Sequence, residues 1–178
     1  MSNEIPEGGF VTTLMDPPWP ERGGGKIKRG ADKHYDLIST KAEMLATVIL
    51  APNWCPADNS HLYMWVTNNY LPWGLWLYEA LGFRYLTNLP WTKRRMGIGQ
   101  YFRGCHELLL FGVRGSGKDV CKQGTCRTDA LEGIEPTQHS KKPEQAYALI
   151  EARSLGPYAE LFARNKRPGW VSWGNELE

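Results

Sequence analysis

The stretch TTLMDPPWPERGGG, residues 12–25, decides the reading of the fold. A short apolar run stops at Asp16, and Pro17, Pro18, Trp19 and Pro20 follow at once. In an open α/β sheet ligands gather outside the carboxyl ends of the strands, and Asp16 sits at such an end. Proline fixes its own φ and biases the preceding residue toward extended backbone, so the Asp16 carboxylate and the carbonyls beside it are held in set directions. Neither proline has an N–H, which leaves their carbonyls to accept from a ligand amino group, and Trp19 offers a flat face beside them. Acceptors and a ring in this order are complementary to a planar heterocycle bearing an NH₂ group, and adenine is such a molecule. Its exocyclic amine is a poor nucleophile because the lone pair is delocalised into the ring; acceptors on both hydrogens favour a pyramidal, attacking nitrogen. Taken alone, the tetrad is explained equally well as a strand-ending turn with a packed tryptophan.

On either side of this stretch strand-like runs alternate with helix-like ones, the pattern of a sheet with crossover helices, so the fold class is α/β. The expected strands are FVTTLM, HLYMWVT, RYLTNLPWT, HELLLFGVR, AELFA and WVSWG, each apolar or β-branched and closed by turn residues. Helices are expected over residues 39–50 with Ser39 as cap and Glu43 in the first turns, over 71–81 ending at Gly82, and over 143–154 starting at Pro143. Residues 20–36 and 114–140 read as long loops, and loops of that length are candidates for substrate contact.

With 178 residues, 42% of them hydrophobic, the chain can bury the core of one domain, and 1–178 is read as a single unit. A net charge of +2 does not announce a nucleic-acid partner, although basic residues cluster locally. The opening MSNEIPEGGF has no export signature, and no segment reaches membrane-spanning length, so a soluble, cytoplasmic protein with no membrane partner is expected. Four scattered cysteines, Cys55, Cys105, Cys121 and Cys126, suit reduced thiols. Cys121 and Cys126 lack a matching second pair, so no metal is expected.

Seven segments occur in order: DPPW at 16–19, LYMWVT at 62–67, LPWTK at 89–93, HELLLFGVRG at 106–115, HSKKPEQAY at 139–147, ELFAR at 160–164 and WVSWGNE at 170–176. Together they resemble the S-adenosylmethionine-dependent adenine N(6)-methyltransferases with a DPPW motif, the family of the messenger-RNA adenosine methyltransferase catalytic subunit. The resemblance implies a Rossmann-like class I methyltransferase fold in permuted order. Residues 10–111 would form the acceptor-motif half, 112–140 a long loop region and 141–178 the cofactor-binding segments.

Several roles are implied by that resemblance. Asp16, Pro17, Pro18 and Trp19 would be catalytic, the carboxylate and the Pro17 carbonyl orienting the amine for direct in-line attack on the methyl group. S-adenosyl-L-methionine would be held by Asp16, Ser140, Lys142, Phe162, Arg164, Asn175 and Glu176, with Lys142 on the methionine carboxylate and Glu176 on the ribose hydroxyls. Beside Trp19, the candidates for substrate contact are Lys26, Lys28, Arg29 and Tyr35 in the first loop, Asn68 past a strand end, and Lys93, Arg94, Arg95 and Arg103. Interleaved Tyr35, Tyr101 and Phe102 suit base stacking. A target adenine in a duplex would have to be flipped, at roughly a few kcal/mol. His106 and Glu107 read as supports of the acceptor loop, and Trp65 and Trp91 as core or crevice wall.

GVRGSGKD at 112–119 satisfies most of the phosphate-loop pattern, but Asp119 stands where a magnesium-binding hydroxyl belongs, and no amphipathic helix follows. A nucleotide hydrolase therefore ranks below a methyltransferase. A catalytically silent nucleic-acid-binding subunit is the other alternative, and retention of Asp16 argues against it. The resemblance implies nucleic acid as the acceptor, DNA favoured by analogy with small bacterial or phage modification enzymes and RNA as the alternative. A homodimer or a heteromeric partner stays open.

Overall fold

The computed structural model describes residues 5–20, 40–51, 54–94, 96–97, 101–124, 126–135, 141–175 and 177. At its centre β1 (Phe10–Met15) is apolar or β-branched along its length and almost wholly buried, as a strand covered on both faces must be. It pairs in parallel with β2 (Pro56–Val66) on one side and β5 (Tyr158–Leu161) on the other, and β6 (Trp170–Trp173) continues the parallel run beyond β5. On the far side of β2 lies β4 (His106–Arg114), antiparallel to it, and β3 (Arg84–Thr92) closes the edge antiparallel to β4. The six strands run in the order β3-β4-β2-β1-β5-β6, a mostly parallel α/β sheet as expected.

Strand alternation splits the core into two layers. Leu62, Met64 and Val66 of β2 pack with Met15 against α1 (Lys41–Ile49) and α2 (Leu71–Ala80), while Tyr63 and Trp65 pack with Leu14 against α3 (Gln145–Arg153). Trp65 and Trp91, both fully buried, meet edge to face at 5.8 Å on the α3 side and are core, as read. Among the described residues no helix is long and apolar enough to cross a membrane.

Several element boundaries differ from the sequence reading by a residue or more, α3 among them, which begins at Gln145 rather than at Pro143; three of the differences have a clear cause. The cap of α1 is Thr40 rather than Ser39: Thr40 Oγ1 accepts from Glu43 N at 3.1 Å and Glu43 Oε2 accepts from Thr40 N at 3.1 Å, a reciprocal box that satisfies two orphan donors. β2 begins at Pro56, ahead of its apolar run, because residues there still find ladder partners, Phe10 for Pro56 and Arg114 for the polar Ser60. β5 ends at Leu161 because Phe162 takes a φ of 63°, which breaks the extended run.

The second predicted loop is held down along its described part. Leu131 is fully buried in the layer beneath α3, Ile134 O accepts from Trp91 Nε1 at 2.6 Å, and Glu135 Oε1 accepts from Arg94 N at 2.6 Å. It serves as core cover there rather than as a free substrate arm. The first predicted loop, apart from Pro20, lies outside the described residues.

Chain direction locates the crevice. β1 leads through α1 into β2 on one face of the sheet, whereas β5 is entered from α3 on the other. With α1 and α3 on opposite faces, the carboxyl end of β1 beside β5 is where an α/β sheet of this kind takes its ligands. Gly174 keeps the adjoining ends of β5 and β6 tight: a Cβ at this position would stand 2.0 Å from Ala163 O.

Candidate active site at the carboxyl ends of the strands

Asp16 is the first residue past β1, and its N–H donates to Leu161 O at 3.4 Å, which sets it beside the end of β5. Its Oδ2 accepts from Lys142 Nζ at 2.8 Å, and the same ammonium lies 3.3 Å from Glu107 Oε2. Glu107 Oε1 in turn accepts from Lys93 Nζ. The result is a row of alternating charges, Asp16, Lys142, Glu107 and Lys93, drawn from the end of β1, the segment before α3, the start of β4 and the end of β3. Their side chains keep 14–24% of their surface exposed, so solvent reaches the row and it is not a sealed ion cluster.

Electrostatics locks the row. Burial alone pushes the Glu107 carboxyl up, but the ammonium groups of Lys142 and Lys93 outweigh it and hold it below the usual carboxylate range. For Lys142 burial works downward, and Asp16 and Glu107 together more than reverse it, so its pKa lies above the ordinary lysine value. Lys142 therefore stays charged at neutral pH and fixes one oxygen of Asp16 in place.

Two expectations for the DPPW stretch are corrected. Trp19 does not face the opening: it is 6% exposed, its Nε1 donates to Trp65 O at 2.9 Å, and its ring stacks on Tyr70 at 6.0 Å. An indole packed and bonded in this way braces the turn and offers no face to a base. The Pro17 carbonyl already accepts from Trp19 N at 2.8 Å, so one of its two lone pairs is committed to the turn. Lys142, expected on a ligand carboxylate, is first the tether of Asp16, and Lys93, expected on substrate, is paired with Glu107 and lies 4.1 Å above the Trp91 ring.

The other lip of the crevice is built from β5 and β6. Glu160 and Ser172 are register partners, and both side chains are turned into the buried layer. Glu160 Oε1 accepts from Tyr147 OH at 2.7 Å, while Glu160 Oε2 and Ser172 Oγ are buried with no hydrogen-bond partner among the described residues. Burial raises the Glu160 carboxyl to about 7, against a smaller downward pull from the Tyr147 hydroxyl. Phe162 follows at the strand end and packs edge-on against Trp173 at 5.4 Å. Arg164 is half-buried and Asn175 exposed just beyond the two strands.

Asn68 is exposed in the single 3-10 turn after β2, on the same edge of the sheet as Asp16. Arg94 and Arg103 are exposed along the β3–β4 connection. Lys26, Lys28, Arg29, Tyr35, Arg95, Ser140 and Glu176 lie outside the described residues. The GSGK segment follows β4, whose antiparallel course puts it on the opposite edge of the sheet from Asp16, and Gly117 O there accepts from the buried His61 Nε2 at 2.9 Å. A turn spent in this way has no helix to present to a phosphate.

Sequence reasoning underrated Glu107 and passed over Glu160. Both carried a signal: each is an acid set directly beside or inside an apolar strand, where an unpartnered charge is costly.

A family model described as MT-A70 matches residues 10–176. The chain is 29% identical over 193 residues to the type II methyltransferase M.MunI of a Mycoplasma species, covering 98% of this chain and 80% of that one. It is 26% identical over 182 residues to the N6-methyladenosine RNA methyltransferase MTA1 of Cryphonectria parasitica, covering 94% of this chain and 52% of that one. To the human N(6)-adenine-specific methyltransferase METTL4 it is 55% identical over 187 residues, which is 94% of this chain but 37% of the relative. It thus spans only about half or less of the last two relatives.

Proposed function

The chain belongs to the MT-A70 family, and from that premise we propose that it transfers a methyl group from S-adenosyl-L-methionine to the exocyclic amine of adenine in nucleic acid. The observation that carries the reading is the Lys142-tethered carboxylate of Asp16 at the opening between β1 and β5. Lys142 occupies Oδ2, and among the described residues Oδ1 of the same tethered carboxylate is left to accept from a ligand amine. The second lone pair of the Pro17 carbonyl is the other candidate acceptor on the DPPW turn.

The lip formed by β5 and β6 fits the methyl donor. A buried carboxyl oxygen and a buried hydroxyl without partners among the described residues, Glu160 Oε2 and Ser172 Oγ, are costly unless a donor arrives. The ribose hydroxyls and the α-ammonium group of S-adenosylmethionine are donors of the required kind. Phe162, Arg164 and Asn175 would border it, with Ser140 and Glu176 as further candidates. When bound, the cofactor supplies a methyl group activated on a sulfonium.

Asp16 then orients the adenine amine so that its nitrogen faces that methyl group, and accepts one of its hydrogens. Fixing the carboxylate in advance removes a reorganisation that would otherwise accompany charge development on the nitrogen. The proton leaves to Asp16 or to water. DNA is the favoured acceptor, because the match to the type II methyltransferase covers more of both chains than the match to the RNA methyltransferase.

The test is tritium transfer from labelled cofactor to matched DNA and RNA oligonucleotides containing adenine. Transfer that vanishes in Asp16→Ala supports the reading, and the preferred oligonucleotide identifies the acceptor. Binding of oligonucleotide with no transfer under any condition would instead favour a silent subunit.

A further inference from the structure

The β3–β4 hairpin does not stop at its last ladder pair, Thr92 with His106. Lys93 N donates to Cys105 O at 2.7 Å and, farther out, Gly97 N donates to Gly104 O at 2.6 Å, while Arg103 Nε adds a bond to Gly97 O at 3.0 Å. These cross-links carry both arms outward as a built projection. Beyond them stand Tyr101 and Phe102, 103% and 88% exposed, with Met96 65% exposed on the opposite arm. Tyr101 has a φ of 59°, a left-handed backbone that a side-chain-bearing residue adopts only at a cost. Neither ring gains a core contact in return, and adjacent fully exposed aromatics mark a surface that something covers.

Charge and position say what covers them. Between Lys93 and His106 the sequence places Arg94, Arg95 and Arg103 and no acidic residue. An apolar protein surface gains little from such a run, whereas a phosphodiester strand requires cations for its backbone and rings for its bases. The root of the projection is the active-site row itself: Lys93 and Glu107 stand on its two arms, and Glu107 reaches the Lys142 that holds Asp16. A strand lying on the tip therefore runs on toward the opening.

We propose that Tyr101 and Phe102 form a stacking platform for unpaired bases flanking the target adenine, so that the preferred substrate is a strand whose bases near the target are out of the duplex stack. The inference rests on the methyl-transfer reading above and adds the strandedness of the acceptor. A base inside a duplex has both faces taken by its neighbours; only an unstacked base can give one face to a protein ring. Arg94 and Arg103 hold the backbone while the rings hold the bases, and neither contact reads sequence.

The experiment uses the full chain and a short fluorescein-labelled DNA containing one adenine, offered as a single strand and as a duplex. The wild type binds the single strand more tightly. The double variant Tyr101→Ala, Phe102→Ala weakens single-strand binding about tenfold or more, while calorimetric binding of S-adenosylmethionine and the melting temperature stay at wild-type values. A Phe102→Trp variant retains the affinity. Unchanged single-strand affinity in the double variant overturns the proposal, as does a wild type that prefers the duplex. A double variant that alters sedimentation of the chain but not strand affinity makes the tip a protein contact and overturns it too. A wild type that holds the strand through these rings yet never methylates adenine would sink the functional reading and leave the platform standing.

Discussion

The ammonium of Lys142 stands 2.8 Å from the carboxylate of Asp16, although the two residues are 126 apart in the chain. One lysine thereby joins the acceptor motif to the segment that introduces α3, and Glu107 on its other side ties both to the β3–β4 hairpin. The row is nearly neutral as a whole, so its effect is to fix directions rather than to set up a strong field.

Replacing Lys142 with Met removes the cation between two carboxylates, which then repel and free Asp16 to rotate. Single-turnover methyl transfer is expected to fall about 10²-fold or more, the scale of losing one preorganised electrostatic partner, with oligonucleotide binding nearly unchanged. Lys142→Arg keeps the charge and restores part of the rate. A Met variant within a few-fold of wild type would mean that Asp16 needs no tether.

Glu107 ties this row to acid stability. Its carboxyl is held below the ordinary value of 4.5, so the unfolded chain takes up the proton first. The contribution is complete above that value and is lost as pH falls through the lower folded-state pKa. Denaturant unfolding of wild type and Glu107→Gln, compared from pH 6 downward, should show the gap between them closing below about pH 4.5. A gap independent of pH would remove the ion pairs from the account of stability.

Much of the sheet was legible because its strands are apolar or β-branched runs closed by turn residues: FVTTLM, RYLTNLPWT and HELLLFGVR coincide with β1, β3 and β4 as they stand, the partly exposed edge strand β3 included. Boundaries slipped where backbone pairing outran hydrophobic pattern, as at Pro56, or where one residue left the extended region, as at Phe162. Within the DPPW stretch, the strand end and the acid could be read from residue types. The direction of Trp19 could not, since an indole after two prolines can stack on a ligand or brace a turn, and only the position of Trp65 O decides. Partnerships such as Asp16 with Lys142 join distant segments, and no local pattern encodes them.

Trp19 gives the sharpest contrast between packing and recognition. Trp19→Ala empties a core site and leaves Trp65 O without its donor, at an expected cost of about 3–5 kcal/mol. Trp19→Phe keeps most of the packing and loses the hydrogen bond, about 1 kcal/mol. In the Phe variant oligonucleotide affinity should match wild type. A selective loss of affinity at unchanged melting temperature would return the indole to the binding surface.

Glu160 makes stability fall as pH rises. Its carboxyl is raised to about 7 from 4.5, so between these values the unfolded chain ionises while the folded one stays protonated. The contribution is fully present below pH 4.5 and is lost as pH climbs through about 7. Glu160→Gln keeps an acceptor for the Tyr147 hydroxyl and abolishes the ionisation. It should match wild type at the acid end and be more stable at pH 8, by up to about 3 kcal/mol for a shift of this size. A cofactor hydroxyl or ammonium donating to Oε2 would favour the ionised carboxylate, so wild-type binding near pH 6.5 should release protons, up to about three quarters of a proton per site. Calorimetry in buffers of different ionisation enthalpy measures that release, and Glu160→Gln should abolish it. Equal proton release by wild type and variant would place the titrating group elsewhere and detach Glu160 from the cofactor.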